Sequence, residues 1–383
     1  MTLQNAIRIS AAAVFSFSQI VTAQQASQAA QDKTVRMNQI QIIGSHNSYH
    51  AGFAPSERAF LAKNSPRTLS GLDYSHAAFA TQLDGGVRQL EIDVFRDTKG
   101  GRFAHPKIVK QVAAAGLPAD PDFDPDHEMD KPGFKVMHVQ DVDERSRCHT
   151  FVKCLNDVKT WSKAHPGHLP LFLLIETKEG PLKGMPDAVE TEHFDATAFD
   201  ELEAEIRSVF SASDLIVPDQ VRGKSATLPE ALKKDGWPTL QKARGKIVFL
   251  MDQRGVGPIY TQGHPALRGR ILFTNAVAGE PDAAFIEENG GTPAEIDALV
   301  KAGYLIRTRS DEPTEQARKN DTARRDLVLG TGAQIISTDY PLSEPASWSG
   351  YAVGLPGGVV ARCNPVNKPA GCVDALLEAP AAK

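Results

Sequence analysis

Short apolar runs, unbroken by polar alternation and bounded by glycine, proline or polar residues, recur along the chain. Gln41–Gly44 is the first, and Val87–Phe95, Phe134–Val139, Leu169–Ile175, Lys246–Met251, Ile271–Asn275, Tyr304–Thr308 and Ala333–Thr338 follow. Runs of this kind, rich in β-branched residues, read as parallel strands buried on both faces. Between several of them the apolar spacing becomes helical. Thr150–Ala164 carries Phe151, Leu155, Val158 and Trp161 at that spacing. Phe199–Phe210 does so with Leu202, Ile206, Val209 and Phe210, behind a cap at Asp195 or Thr197. Thr292–Ala302 opens Thr-Pro-Ala-Glu, with threonine at N-cap, proline at N1 and glutamate at N3. Eight strands alternating with helices predict an α/β fold, a (β/α)8 TIM-type barrel forming a single domain over residues 37–383. An open doubly wound sheet is the alternative, but no Gly-x-Gly-x-x-Gly follows the first strand.

One stretch breaks the alternation. Arg96–Gly133 is long, proline-rich and acidic, with Asp120, Asp122, Asp124, Asp126 and Asp130. It lacks the glycine and terminal glutamate of an EF-hand loop, so it reads as a solvated excursion over the barrel mouth.

The N-terminus changes the picture of where the protein works. Arg8 precedes the apolar run Ala11–Val21, and Val21-Thr22-Ala23 has the small-x-small form of a cleavage site. These features predict a signal peptide over residues 1–23 and a Gln/Ala/Ser-rich, disordered lead-in over 24–36. The apolar run is too short to span a bilayer. The four cysteines fall into two close pairs, Cys148 with Cys154 and Cys363 with Cys372, and none has zinc-ligand spacing. Two local disulfides in a secreted or periplasmic protein fit this pattern better than four free thiols. The net charge of −5, from 42 basic and 47 acidic residues, offers no basis for nucleic-acid binding and no polybasic membrane patch.

A barrel of this type carries its active site at the carboxyl ends of its strands. The first run ends Ser45-His46-Asn47-Ser48, the second holds Glu91 and Asp93, the third ends at His138, the fourth at Glu176-Thr177-Lys178 and the fifth at Asp252-Gln253-Arg254. Glu91 and Asp93 are two apart in a strand and therefore share a face. Two carboxylates on an apolar strand need a cation or hydrogen bonds to offset their burial. With Glu176 and the side-chain oxygen of Asn47 they form a hard-oxygen set suited to calcium, with magnesium second. His46 and His138 suit acid and base roles near neutral pH.

This ordered set resembles the catalytic barrel of the calcium-dependent phosphoinositide-specific phospholipase C family, in its secreted bacterial branch. Ser45-His46-Asn47-Ser48-Tyr49 looks like its first-strand motif and Leu90-Glu91-Ile92-Asp93 like its second. His138 and Glu176 match its second histidine and further calcium ligand, and the similarity runs from about Gln41 to Tyr340. The resemblance implies a phosphoric diester hydrolase that uses Ca2+. Asn47, Glu91, Asp93 and Glu176 would hold the metal, His46 would act on the phosphoryl group or as base, and His138 would protonate the leaving alcohol. The implied substrate is a phospholipid or its head group, with transient contact at a membrane surface.

The sequence departs from the animal enzymes of that family at the fifth strand. Where they carry two lysines that grip ring phosphates, this chain has Asp252 and Arg254. Polyphosphorylated inositides are therefore disfavoured. Lys178, Asp252, Arg254, Arg307 and Arg309 are the candidate substrate contacts, the arginines because a guanidinium fork matches phosphate geometry. The alternative for the arginines is a set of ion pairs on the barrel rim. Phe53, Phe60, Phe103 and Phe123 are the candidate lipid contacts. A glycerophosphodiester phosphodiesterase would share the barrel and metal, and a non-catalytic sugar- or phosphate-binding barrel is a third reading.

Overall fold

The strongest apolar runs become strands because both of their faces are covered. Leu171–Thr177 is buried almost throughout, and so is Gln89–Phe95. The computed structural model describes residues 27–378. Its strands are β1 (Ile40–Ser45), β2 (Gln89–Phe95), β3 (Lys135–Val136), β4 (Leu171–Thr177), β5 (Ile247–Met251), β6 (Phe285–Glu287), β7 (Leu305–Arg309), β8 (Ile335–Thr338) and β9 (Ala361–Cys363). Seven of them run β5-β4-β2-β1-β8-β7-β6, each parallel to its neighbours. The gap between β5 and β6 is spanned by residues 271–275, through single parallel bridges Leu250–Phe273 and Asn275–Phe285. A nearly closed (β/α)-type barrel results.

Two strand expectations need correction. Phe134–Val139 is not a barrel stave. Only Lys135–Val136 pairs, and it pairs antiparallel to the end of β2, because the parallel edge of β2 already belongs to β4. The eighth position is filled instead by β6, a three-residue strand that ends at Glu287. Ile271–Asn275 takes its barrel place through the two bridges alone.

The expected helices form. Phe151–Ala164 is capped by Thr150, Ala196–Val209 by Asp195, and Pro293–Lys301 by a Thr292/Glu295 capping box. The stretch 96–133 is more ordered than expected. It contains the helix Lys107–Ala114, and Phe103 is buried against Phe95, Met129 and Met137. Its acids cap backbone. Asp120 accepts from the Ser56 and Glu57 amides, and Asp124 from those of Glu128 and Met129.

The signal-peptide expectation, residues 1–23, lies outside the described residues. The expected disordered lead-in is corrected for its described part. Residues 27–32 are helical, Asp32 pairs with Arg244 at 2.6 Å, and Val35 is buried. That ion pair and the burial of Val35 outweigh the ordering cost that composition alone implies. Both cysteine pairs are disulfides, with Cα separations of 5.2 Å for Cys148–Cys154 and 6.1 Å for Cys363–Cys372. No described helix is long and apolar enough to cross a membrane.

Candidate active site

The turn after β1 sets the site. Gly44 has no Cβ because Gln89 fills that space; an added Cβ would lie 2.0 Å from its Oε1. Asn47 then takes φ of 45°, a left-handed conformation that asparagine tolerates better than most residues. The chain reverses so that Ser48 Oγ accepts from the Glu91 amide at 2.8 Å and the Ser48 amide donates to Glu91 O at 3.0 Å. The first-strand motif is thereby fastened to the second.

Register brings the acids together. Asp93 on β2 lies opposite Glu176 on β4. Glu91, Asp93 and Glu176 offer carboxylate oxygens all within 4.8 Å of one another. Burial pushes the Glu91 and Asp93 pKa values well above the usual range, and Glu176 adds to the effect at Asp93. Neither oxygen of Asp93 accepts a well-formed hydrogen bond among the described residues, although the Lys178 ammonium lies 3.0 Å from Oδ2. Asn47 donates through Nδ2 to the Tyr74 hydroxyl at 2.7 Å, which leaves its Oδ1 as an acceptor, touched at 3.3 Å by the Tyr49 hydroxyl. Three clustered carboxylates, those of Asp93 without a well-formed hydrogen bond, are an all-oxygen donor set of the kind that fits a calcium ion, to which Asn47 Oδ1 would add an amide oxygen.

Each expected histidine leans on a carboxylate. His46 Nδ1 donates to Asp339 Oδ1 at 2.7 Å, while its Nε2 accepts from Arg309 Nη1 at 3.1 Å. Arginine only donates, so Nδ1 carries the proton and Nε2 the lone pair. His138 Nδ1 donates to Asp143 Oδ2 at 3.0 Å, leaving its Nε2 free of that bond. Burial lowers the pKa of both histidines, and Arg309 lowers that of His46 further. His138 does not end a barrel strand. It follows β3 in a tight turn closed by the Asp143 amide on Val139 O at 2.8 Å.

The five expected substrate contacts divide. Lys178 bridges Asp93 and Glu176, and Arg309 faces His46. Arg254 is about half exposed and reaches Asn275 Oδ1 at 3.3 Å. Asp252 is pushed up to about 7 by burial and by Glu287. Arg307 is the exception. It is buried inside the barrel, with Nη2 2.5 Å from Glu91 Oε2 and Nη1 2.7 Å from Glu287 Oε1. It acts as an internal counter-ion, the ion-pair alternative rather than a phosphate clamp. Asp143, Glu287, Tyr74 and His50 also belong to the site. Asp143 follows His138 by five residues, and Glu287 ends the short apolar run from Ala283. Those two local signals were available in the sequence, whereas the partnerships were not.

A family model of calcium-dependent phosphoinositide phospholipase C matches residues 35–365. The chain belongs to this family. It is a phosphodiesterase, and the family is calcium-dependent. The calcium-dependent phosphoinositol-specific phospholipase C of the Gram-negative bacterium Pseudomonas sp. has the same fold, with 16% identity over 87% of this chain and 97% of that one at a TM-score of 0.52. Its myo-inositol complex is similar at a TM-score of 0.51, with 15% identity over 86% and 95% of the two chains. The Streptomyces antibioticus calcium-dependent enzyme has 18% identity over 80% and 95%, at a TM-score of 0.48. No curated protein sequence matches the chain.

Of the four phenylalanines expected to touch lipid, Phe123 is half-buried against the Phe95 and Phe103 cluster, and the other three are also packed on the protein. Phe103 is buried, and Phe53 and Phe60 pack on Leu61, Ile108 and Val112. The exposed large apolar residues after β8 are Leu342, Trp348 and Val373, and the Arg318 guanidinium lies over the Trp348 ring at 4.3 Å.

Proposed function

We propose that this phospholipase C family member cleaves phosphatidylinositol-type phosphodiesters using His46 as base and His138 as acid. The observation that carries this reading is the matched orientation of the two imidazoles. Each donates its Nδ1–H to a buried carboxylate, so each has Nε2 as the reacting nitrogen, bare on the base and protonated on the acid. His46 would take a proton from the attacking hydroxyl, and Arg309 beside it would stabilise charge on the phosphoryl oxygens. His138 would deliver a proton to the leaving alcohol. Asn47, Glu91, Asp93 and Glu176 would hold calcium, which when bound polarises a phosphoryl oxygen.

Asp252 supports a head group whose ring hydroxyls, not phosphates, face β5, since a carboxyl accepts from hydroxyls and repels phosphate. The myo-inositol complex of the structurally similar Pseudomonas enzyme agrees with that choice. The two disulfides and the N-terminal pattern support export. Leu342 and Trp348 support transient membrane contact.

The test is product analysis by phosphorus NMR on phosphatidylinositol and on glycerophosphoinositol, with and without chelator. A calcium-dependent cyclic inositol phosphate is expected. Glycerol 3-phosphate as product would mean a glycerophosphodiesterase instead. His138→Ala should lose about 10²–10⁴-fold on an alkyl leaving group and recover on a nitrophenyl one, while His46→Ala should not recover.

A further inference from the structure

We propose that His50 is a positioning residue for His138, acting through Asp143; the inference rests on the acid role of His138 given above. Asp143 is buried and its carboxylate is shared by two imidazoles. His50 Nε2 straddles the carboxylate, 2.9 Å from Oδ1 and 2.8 Å from Oδ2, and His138 Nδ1 lies 3.0 Å from Oδ2. A carboxylate only accepts, so both ring nitrogens facing it donate. His50 therefore fixes the rotation of the same carboxyl group that fixes the tautomer and aim of His138.

Nothing else in the surroundings does this. The Asp143 side chain has these two histidines as its only hydrogen-bond donors among the described residues. The His50 ring is wholly buried, tilted on Tyr74 at 4.6 Å between centroids and edge-on to His138 at 5.8 Å. Its backbone is stitched to the other side of the site, since Ala51 N donates to Arg145 O at 3.1 Å and Arg147 N to Tyr49 O at 2.8 Å. The turn bearing His46 and the turn bearing His138 thus share one rigid unit, with the His50–Asp143 bond at its centre. Burial works against the Asp143 charge, yet the two imidazoles outweigh it and hold the carboxyl well below its ordinary range.

The same three residues have metal-ligand chemistry, but their spacing fits hydrogen bonds better. Tetrahedral zinc ligands sit about 3.3 Å apart, whereas each imidazole nitrogen here is 2.8–3.0 Å from an Asp143 oxygen.

The experiment uses calcium-loaded enzyme with His50→Phe, which removes the donor, and His50→Gln, which returns an N–H near the Nε2 position. Each is assayed on phosphatidylinositol and on a nitrophenyl inositol phosphodiester, with His138→Ala as reference. His50→Phe should lose roughly ten- to a hundredfold in kcat on the lipid, with KM little changed, and much less on the nitrophenyl ester. His50→Gln should recover most of the loss. Equal losses on both substrates, or no recovery with glutamine, would overturn the proposal. The nitrogen-15 resonance of His138 Nδ1 reads the same geometry without turnover. It should move in His50→Phe and return in His50→Gln, and a resonance unmoved in both variants overturns the proposal. If His138→Ala shows no leaving-group preference, the acid assignment fails, and this resonance still decides the role of His50. Stoichiometric zinc bound by the wild type and lost in His50→Phe would make the cluster a metal centre instead.

Discussion

Lys178 sets its ammonium 3.0 Å from Asp93 Oδ2, inside the acidic cluster. Its other partner is Glu176 Oε1 at 2.9 Å, so one ammonium pairs with two of the three clustered carboxylates. Burial opposes the lysine charge, but Asp93 and Glu176 outweigh it and raise its pKa. A divalent cation entering this cluster meets a positive charge already in place. Lys178→Met should therefore bind calcium at least about tenfold more tightly by calorimetry, while the calcium-free protein melts at a lower temperature. Unchanged or weaker calcium binding would mean that lysine and metal share the site without competing.

Arg307 should matter to stability more than to substrate affinity. It joins Glu91, Glu287, Asn289 and Ser337 through its two terminal nitrogens. Removing one partner of a buried pair leaves an uncompensated charge, at about 3–5 kcal/mol. Arg307→Met should show that loss in chemical denaturation without calcium. Adding Glu91→Gln should restore part of it, and simple additivity of the two changes would contradict the pairing.

Glu205 gives a pH test away from the chemistry. Burial raises its pKa from the ordinary 4.5 to about 7, only partly relieved by the Phe134 amide, which donates to Oε1 at 3.0 Å. The native state thus holds this proton more tightly than the unfolded chain. The resulting stability is fully present below pH about 4.5 and is lost as pH rises through 7. Glu205→Gln should be close to neutral at pH 4.5 and stabilising by roughly 1–3 kcal/mol at pH 8, discounted for partial exposure. Melting temperatures across that range check the sign.

The Cys363–Cys372 bridge closes a short loop. Chain-entropy arguments give about 2–3 kcal/mol for a loop of that length. Cys363→Ser with Cys372→Ser should lose that amount in denaturant titrations, and a loss well under 1 kcal/mol would show the loop to be ordered without its bridge.

Much of the barrel is legible in the sequence because β2, β4 and β5 are buried on both faces and so read as continuous apolar runs. Phe134–Val139 misleads because apolar content cannot tell a barrel stave from a two-residue antiparallel clip beside a turn. Short β6 escapes because three residues carry no period. In the site, Asn47, Glu91, Asp93, Glu176, His46 and His138 are visible as polar residues that interrupt apolar runs. Their partners are not visible. Asp339 is 293 residues from His46, and Glu91 is 216 from Arg307, so only the closed barrel pairs them.

The pairing of β1 has a bearing on how the protein is made. Only two register positions join β1 to β2, whereas four join it to β8 and three join it to β9. The strand that delivers His46 and Asn47 therefore finds most of its hydrogen-bond partners in residues 335–363, which are made long after β1 itself. Until those residues emerge, the first strand has an open edge and the barrel has no base. A growing chain in that condition cannot close the barrel. Late closure of this kind means that the active site assembles only after β8 and β9 have joined β1.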